Sequence, residues 1–191
     1  MFPHLYDEKK AADAAGYLLK QAAGAIHVPV LERLMYLAER ESFRRHGLPL
    51  TGDSLVSFEN GPALWHTHQR LAGEVSDWQS WVSDLSNHRV GMRPARNLLG
   101  DAYFERHTAL SEADIGILQS VWDSYGRLPA SRLIDVVQTE CREWDRSSPD
   151  PEIPHNRLFR ALGFTAAEIE GVLMQLEEID SLNQLTAESA A

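Results

Sequence analysis

The chain has 191 residues, 43% hydrophobic and 24% charged, enough for one domain with a real core, and its net charge is −10 with one cysteine. An acidic balance argues against non-specific nucleic-acid binding, which draws its affinity from Lys and Arg on phosphates. A lone cysteine excludes an internal disulfide, and the apolar runs fall short of the roughly 20 residues that span a bilayer. The N-terminal MFPHLYDEKK lacks the basic-then-apolar pattern of a secretory signal, so cytoplasm is the expected location.

In chain order, the first helix is expected from Glu8 to Ala23, where Ala11, Ala15, Leu18, Leu19 and Ala22 recur at three- and four-residue steps before Gly24. A second helix should run from Val28 to His46. Leu31, Leu34, Met35 and Ala38 share one face, and Arg33, Arg40 and Arg44 form a basic outer stripe on the other. Gly47 and Pro49 stop it. Next comes LPLTGDSLVSFENGPALWHTHQR, which crowds turn residues, a Trp and two histidines between Leu48 and Arg70. Residues 54–58 are the best strand candidate, with Leu55, Val56 and Phe58 following the turn signal Thr51-Gly52-Asp53. Asn60-Gly61-Pro62 should turn the chain into a third helix, with Pro62 in its first turn and Leu64, Trp65, Leu71, Val75, Trp78 and Trp81 along it.

Residues 86–108 have no clear period and are expected to be mostly loop, with a candidate short strand at Tyr103-Phe104. Ser111 opens a helix carrying Ile115, Leu118, Trp122 and Tyr125, which Gly126 ends. Another helix is expected from Pro129 through Trp144, then a surface loop, then a short helix from Pro154 to Leu162. Thr165 and Glu168 have capping-box spacing at the start of a last helix with Ile169, Val172, Leu173, Leu176 and Ile179. The expected architecture is mainly α, a single compact domain over 1–185 with a small strand element near 54–58 and a frayed tail over 186–191. After Arg160 there is no Lys or Arg, while Glu168, Glu170, Glu177, Glu178, Asp180 and Glu188 accumulate. Such a tail is a solvated helix face or an acidic surface suited to a basic partner.

No catalytic constellation is found. His66 and His68 are two apart, which on a helix points them about 200° from each other and denies them a shared metal. No HExxH, Cys/His cluster, GxSxG or phosphate-binding glycine loop occurs, and Cys141 sits in an expected helix as a small buried residue. No catalytic, cofactor or metal residue is therefore assigned. Trp65, Trp78 and Trp81 are expected in packing, with one or two at a rim, where aromatic residues serve as interface anchors.

The run YLAERESFRRHGLPLTGDSLVSFENGPA resembles the Panacea domain, the SocA-like antitoxin family. The resemblance rests on Tyr36 to Arg40, Arg44, Arg45, Gly47, Pro49 to Asp53, Gly61 and Pro62. A looser similarity continues through LSEADIGILQSVWDSYGRLPASRLIDVVQT and Trp144, for a span of roughly 11 to 180. Two departures stand out: Asn60 where the family often has Tyr before Gly-Pro, and Thr139-Glu140 where it often has Thr-His. The resemblance implies a non-enzymatic antitoxin that neutralises a cognate protein toxin by direct contact, in some relatives as an adaptor to a protease. On this reading Gly52, Gly61 and Pro62 set the backbone of a structural corner, and Asp53 caps or orients its loop. Asp53, Phe58, Glu59, Asn60 and Trp65 are the candidate partner-binding residues. The alternative is a helix-turn-helix regulator in which the Arg33, Arg40 and Arg44 stripe meets DNA. Two segments, LLKQAAGAIHVPVLERL and VWDSYGRLPASRLIDVV, carry the helix-Gly-restart pattern it would need, a pattern shared with ordinary helical hairpins.

Overall fold

The computed structural model describes residues 2–73, 78, 82–85, 88–92, 108–148 and 151–189. In chain order the elements are α1 (Glu8–Gln21), β1 (Ala25–His27), α2 (Val28–His46), β2 (Leu55–Phe58), β3 (Gly61–Leu64), α3 (Trp65–Leu71), β4 (Val82–Leu85), β5 (Arg89–Met92), α4 (Glu112–Tyr125), α5 (Ala130–Glu140), α6 (His155–Ala161) and α7 (Ala166–Ser189). The fold is mainly α, with two small antiparallel sheets among the described residues.

α2 is the central helix. It packs against α1, α4, α5, α6 and β3, so its burial extends beyond the expected stripe of Leu31, Leu34, Met35 and Ala38 to Tyr36, Leu37 and Glu39. It stops at Gly47, which takes the left-handed conformation at φ 67° and donates its N–H to the Phe43 carbonyl. α1 starts on Asp7, whose carboxylate accepts from the Lys10 amide at 2.9 Å, and it buries every residue from Ala11 to Leu19. Two expected caps are present as capping boxes: Ser111 with Asp114 at α4, and Thr165 with Glu168 at α7.

Four expectations need correction. Pro62 lies in strand β3, paired with Ser57, and α3 begins only at Trp65. The pairing explains why a proline fits. Ser57 donates its own N–H away from β3, to the Pro151 carbonyl, so the nitrogen of Pro62 faces the outer edge, where no ladder bond is required. α3 is also shorter than expected and ends at Leu71, before Gly73 at φ 77°. Trp78 is buried beyond its end, while Val75 and Trp81 lie outside the described residues. Third, the stretch expected to be loop contains β5, which with β1 and β4 forms a sheet of order β1-β5-β4, registered through Ile26↔Val90 and Asp84↔Val90. The Tyr103-Phe104 candidate lies outside the described residues. Fourth, α5 ends at Glu140. Cys141 leaves helical geometry at φ −88°, ψ 76°, and the turn carries Trp144 to β2, where its indole N–H donates to the Phe58 carbonyl at 2.8 Å. α7 runs to Ser189.

Candidate protein-binding corner

The corner is built outward from one buried acid. Glu39 is fully buried on α2, and its carboxylate accepts from the Thr51 N–H and hydroxyl, both at 2.8 Å, and from the Gly52 N–H at 3.0 Å. Burial pushes its pKa up from 4.5 to about 7, held back by the Thr51 hydrogen bonds. The loop is thus wrapped onto a carboxylate rather than onto a hydrophobic residue. Gly52 is obligatory here: φ is 72°, and a Cβ would meet the Leu5 carbonyl oxygen at 2.1 Å.

Asp53 takes the next step. It was expected on a turn open to a partner, yet it is 1% exposed. One carboxylate oxygen accepts the His66 N–H at 2.8 Å, and the other accepts the Thr67 N–H and hydroxyl, each at 2.8 Å. The Trp65 N–H donates to the Ser54 carbonyl. Asp53 therefore caps α3 from a distance in sequence, a task that Leu64 at the N-cap position cannot perform. The capping half of the Asp53 expectation fits; the exposed half is corrected by burial.

The strands β2 and β3 join through Glu59 and Asn60, with Phe58 opposite Gly61. Glu59 and Asn60 are exposed at the tip. Trp65 is 41% exposed and forms an aromatic ridge with half-buried Phe58 and with His68, at centroid separations of 6.4 and 6.5 Å. Phe58 and His68 stand 4.7 Å apart. The ridge borders two grooves. One, of about 440 Å³, is lined by Trp65, Val56, Pro3 and Pro151; the other, of about 290 Å³, by Phe58, Asn60, Pro29 and Arg33.

The histidines serve separate carboxylates. His66 Nδ1 lies 2.9 Å from Asp53, and His68 Nδ1 lies 2.6 Å from Glu32. Among the described residues no group of three or more metal-ligating side chains converges. Cys141 is 1% exposed, and burial raises its thiol pKa, which keeps it protonated.

The basic stripe is not an outer one. Arg40 turns inward to the fully buried Glu143 at 2.8 Å, and the Tyr36 hydroxyl donates to the same oxygen at 2.9 Å. Arg33 donates to the carbonyls of Pro29 and Asn60, and Arg44 pairs with Glu41. Arg40 thus works inside the fold, and Arg33 and Arg44 are engaged by carbonyls and by Glu41, so the three guanidiniums do not form one free basic stripe. The first of the two helix-restart segments also holds strand β1, so the pair do not repeat one motif. Glu143 is a structural residue that sequence reasoning missed, since nothing separates it from the solvated acids around it.

These features define a helical scaffold whose buried acids fix the backbone of a presented aromatic surface, an arrangement suited to a binding module. A family model described as "Antitoxin SocA-like, Panacea domain" matches residues 31–145, more than half of the sequence, and the chain belongs to that family. No curated protein and no solved structure matches it. Membership supports an antitoxin role, a toxin partner in general terms, and a non-enzymatic function. No helix among the described residues is long and apolar enough to cross a membrane.

Proposed function

We propose that this chain neutralises a protein toxin in the cytoplasm by one-to-one contact, with the toxin seated on the β2–β3 tip and the start of α3. The exposure of Trp65 carries this reading. The exposed large hydrophobics among the described residues are Trp65, Met174, Leu182 and Leu185, and Trp65 alone of these lies within the family match. Trp is the residue type most enriched at binding hot spots. Here its position is fixed by a capped helix, with the loss of little freedom on binding. Phe58 continues the apolar contact, Glu59 and Asn60 supply the polar rim, and Asp53, Gly52, Gly61 and Pro62 hold the backbone that presents them.

The test is co-expression with the product of the adjacent gene. Growth should be restored and a complex should co-purify. Trp65→Ala should weaken that complex by about 2 kcal/mol or more, with melting unchanged. Failure of rescue together with absence of a complex would refute direct neutralisation; an intact complex with Trp65→Ala would move the contact elsewhere. Neutralisation by blocking leaves toxin abundance constant in the cell, whereas delivery to a protease lowers it, so toxin abundance separates the two routes.

A further inference from the structure

α7 has two apolar faces, and only one is used. Ile169 and Leu176 are buried, with Val172, Leu173 and Ile179 packed beside them on the core. The opposite side carries Met174, Leu182 and Leu185, which are 66%, 56% and 60% exposed. At about 100° per residue, Met174 and Leu185 project within about 20° of each other and Leu182 within about 80° of Met174. Glu178 falls inside that arc, and Glu170, Glu177 and Glu188 line one flank. Isolated exposed apolar residues need no explanation. Three on one arc of one helix, among carboxylates, are a different matter.

Among the described residues, the charges on this face are not neutralised by a cation. No Lys or Arg follows Arg160 in the sequence, and no ion pair is formed by Glu170, Glu177, Glu178 or Glu188 among the described residues. A second copy of this chain is a poor occupant, because apposed α7 helices would set carboxylates against carboxylates. An anionic lipid surface is repelled for the same reason. What fits is an apolar contact with cations beside it. α7 also lies outside the family match at 31–145.

We propose that the outer face of α7 is a second docking surface, for a partner protein whose contact patch is apolar and flanked by Lys and Arg. It is independent of the toxin face at the hairpin and stands whether or not that assignment holds.

The probe is a labelled synthetic helix of about 18 residues with a Leu face and a Lys face, titrated onto the full chain by fluorescence anisotropy. A Leu/Glu helix of the same length is the control. The Leu/Lys helix should bind, with affinity falling as salt rises. Leu182→Gln with Leu185→Gln, which keeps good helix formers on α7, should weaken binding at least about tenfold at unchanged melting temperature. Glu177→Gln with Glu178→Gln should weaken binding and flatten the salt dependence. Trp65→Ala should bind like the parent. Equal binding by the parent and the double Leu variant would overturn the assignment, because the peptide would then sit elsewhere on the acidic surface. Equal binding of the Leu/Glu helix would overturn the charge requirement. A parent that sediments as a dimer, and a double Leu variant that sediments as a monomer, would make the occupant a second copy and overturn it as well.

Discussion

Glu39 is a buried carboxylate with no cation in ion-pair distance among the described residues, held by the donors of Thr51 and Gly52 alone. Its pKa, raised by burial from 4.5 to about 7, means that the folded state keeps the proton more tightly than the unfolded chain. Stability from this group is therefore fullest at low pH and is lost as pH rises from 4.5 through about 7, by roughly 3 kcal/mol in all. His155 works the other way. Burial lowers its pKa from 6.5 to about 4, so its contribution is lost as pH falls through that window. The two trends overlap, but a comparison with Glu39→Gln cancels the histidine. Glu39→Gln turns an amide NH₂ toward a backbone donor and should cost about 1–3 kcal/mol in urea denaturation at about pH 5. That gap should shrink toward about pH 8, and a gap independent of pH would refute the buried titration. Asp53 makes the complementary point. Asp53→Ala leaves the His66 and Thr67 amides without acceptors and should cost about 2 kcal/mol of folding. Glu59→Ala and Asn60→Ala, at the exposed tip, should stay within about 0.5 kcal/mol of the parent. Glu59 and Asn60 are therefore cleaner probes of toxin contact than Asp53.

At the scale of elements, the match segment Tyr36 to Arg40 faces two ways: Glu39 holds the loop before β2, and Tyr36 with Arg40 holds the segment after α5 through Glu143. Arg40→Ala would strand a fully buried carboxylate and should cost about 3 kcal/mol or more. Replacing the triad together, Tyr36→Phe, Arg40→Met and Glu143→Leu, should recover most of that loss, because no charge then remains to be solvated. If the triple variant is as unstable as Arg40→Ala in denaturant melts, the cost lies in packing rather than in the stranded charge. What the sequence revealed follows the same division. The long helices were legible because Ala11 to Leu19, Leu31 to Ala38 and Ile169 to Ile179 repeat over several turns. β1, β4 and β5 were not, since three or four residues are too few to show alternation and their pairing is non-local. Pro62 misled because proline suits both a first helical turn and an outward-facing edge position. The corner was legible as a place, through Thr51-Gly52-Asp53 and Gly61-Pro62. The inward turn of Asp53 and Arg40 was not, because their partners lie 13 and 103 positions away.

The molecule as a whole is closed by parts outside the family match. α1 buries nine consecutive residues, Ala11 to Leu19, beneath α2 and α4. Phe159 of α6 meets Phe43 edge-on at 5.4 Å, and Val172 of α7 lies against Gly47, where an added Cβ would come within 3.2 Å. The termini are clasped: the His4 N–H donates to Asp180 at 2.6 Å, and Asn183 donates to the His4 carbonyl at 2.9 Å. Beyond Asp180, by contrast, every described residue is exposed. These facts predict opposite outcomes for two shortened chains. Residues 31–145 alone would expose the faces of α2 that α1 and α6 cover. Such an opening of the core removes far more than the 5–15 kcal/mol by which domains are stable, at roughly 25 cal/mol per Å² of apolar surface. That chain should show no cooperative transition in calorimetry and no near-ultraviolet circular dichroism of packed aromatics. Residues 1–180 lose one hydrogen bond to the N-terminal segment and a stretch of solvated helix, and should melt within about 4 °C of the parent. The same chain lacks Leu182 and Leu185, so it should also lose affinity for the Leu/Lys helix while its corner stays intact and toxin neutralisation is kept. A cooperative melt of 31–145 near the parent temperature would show that the matched region folds without its flanks, and the roles given to α1, α6 and α7 in the core would fail with it.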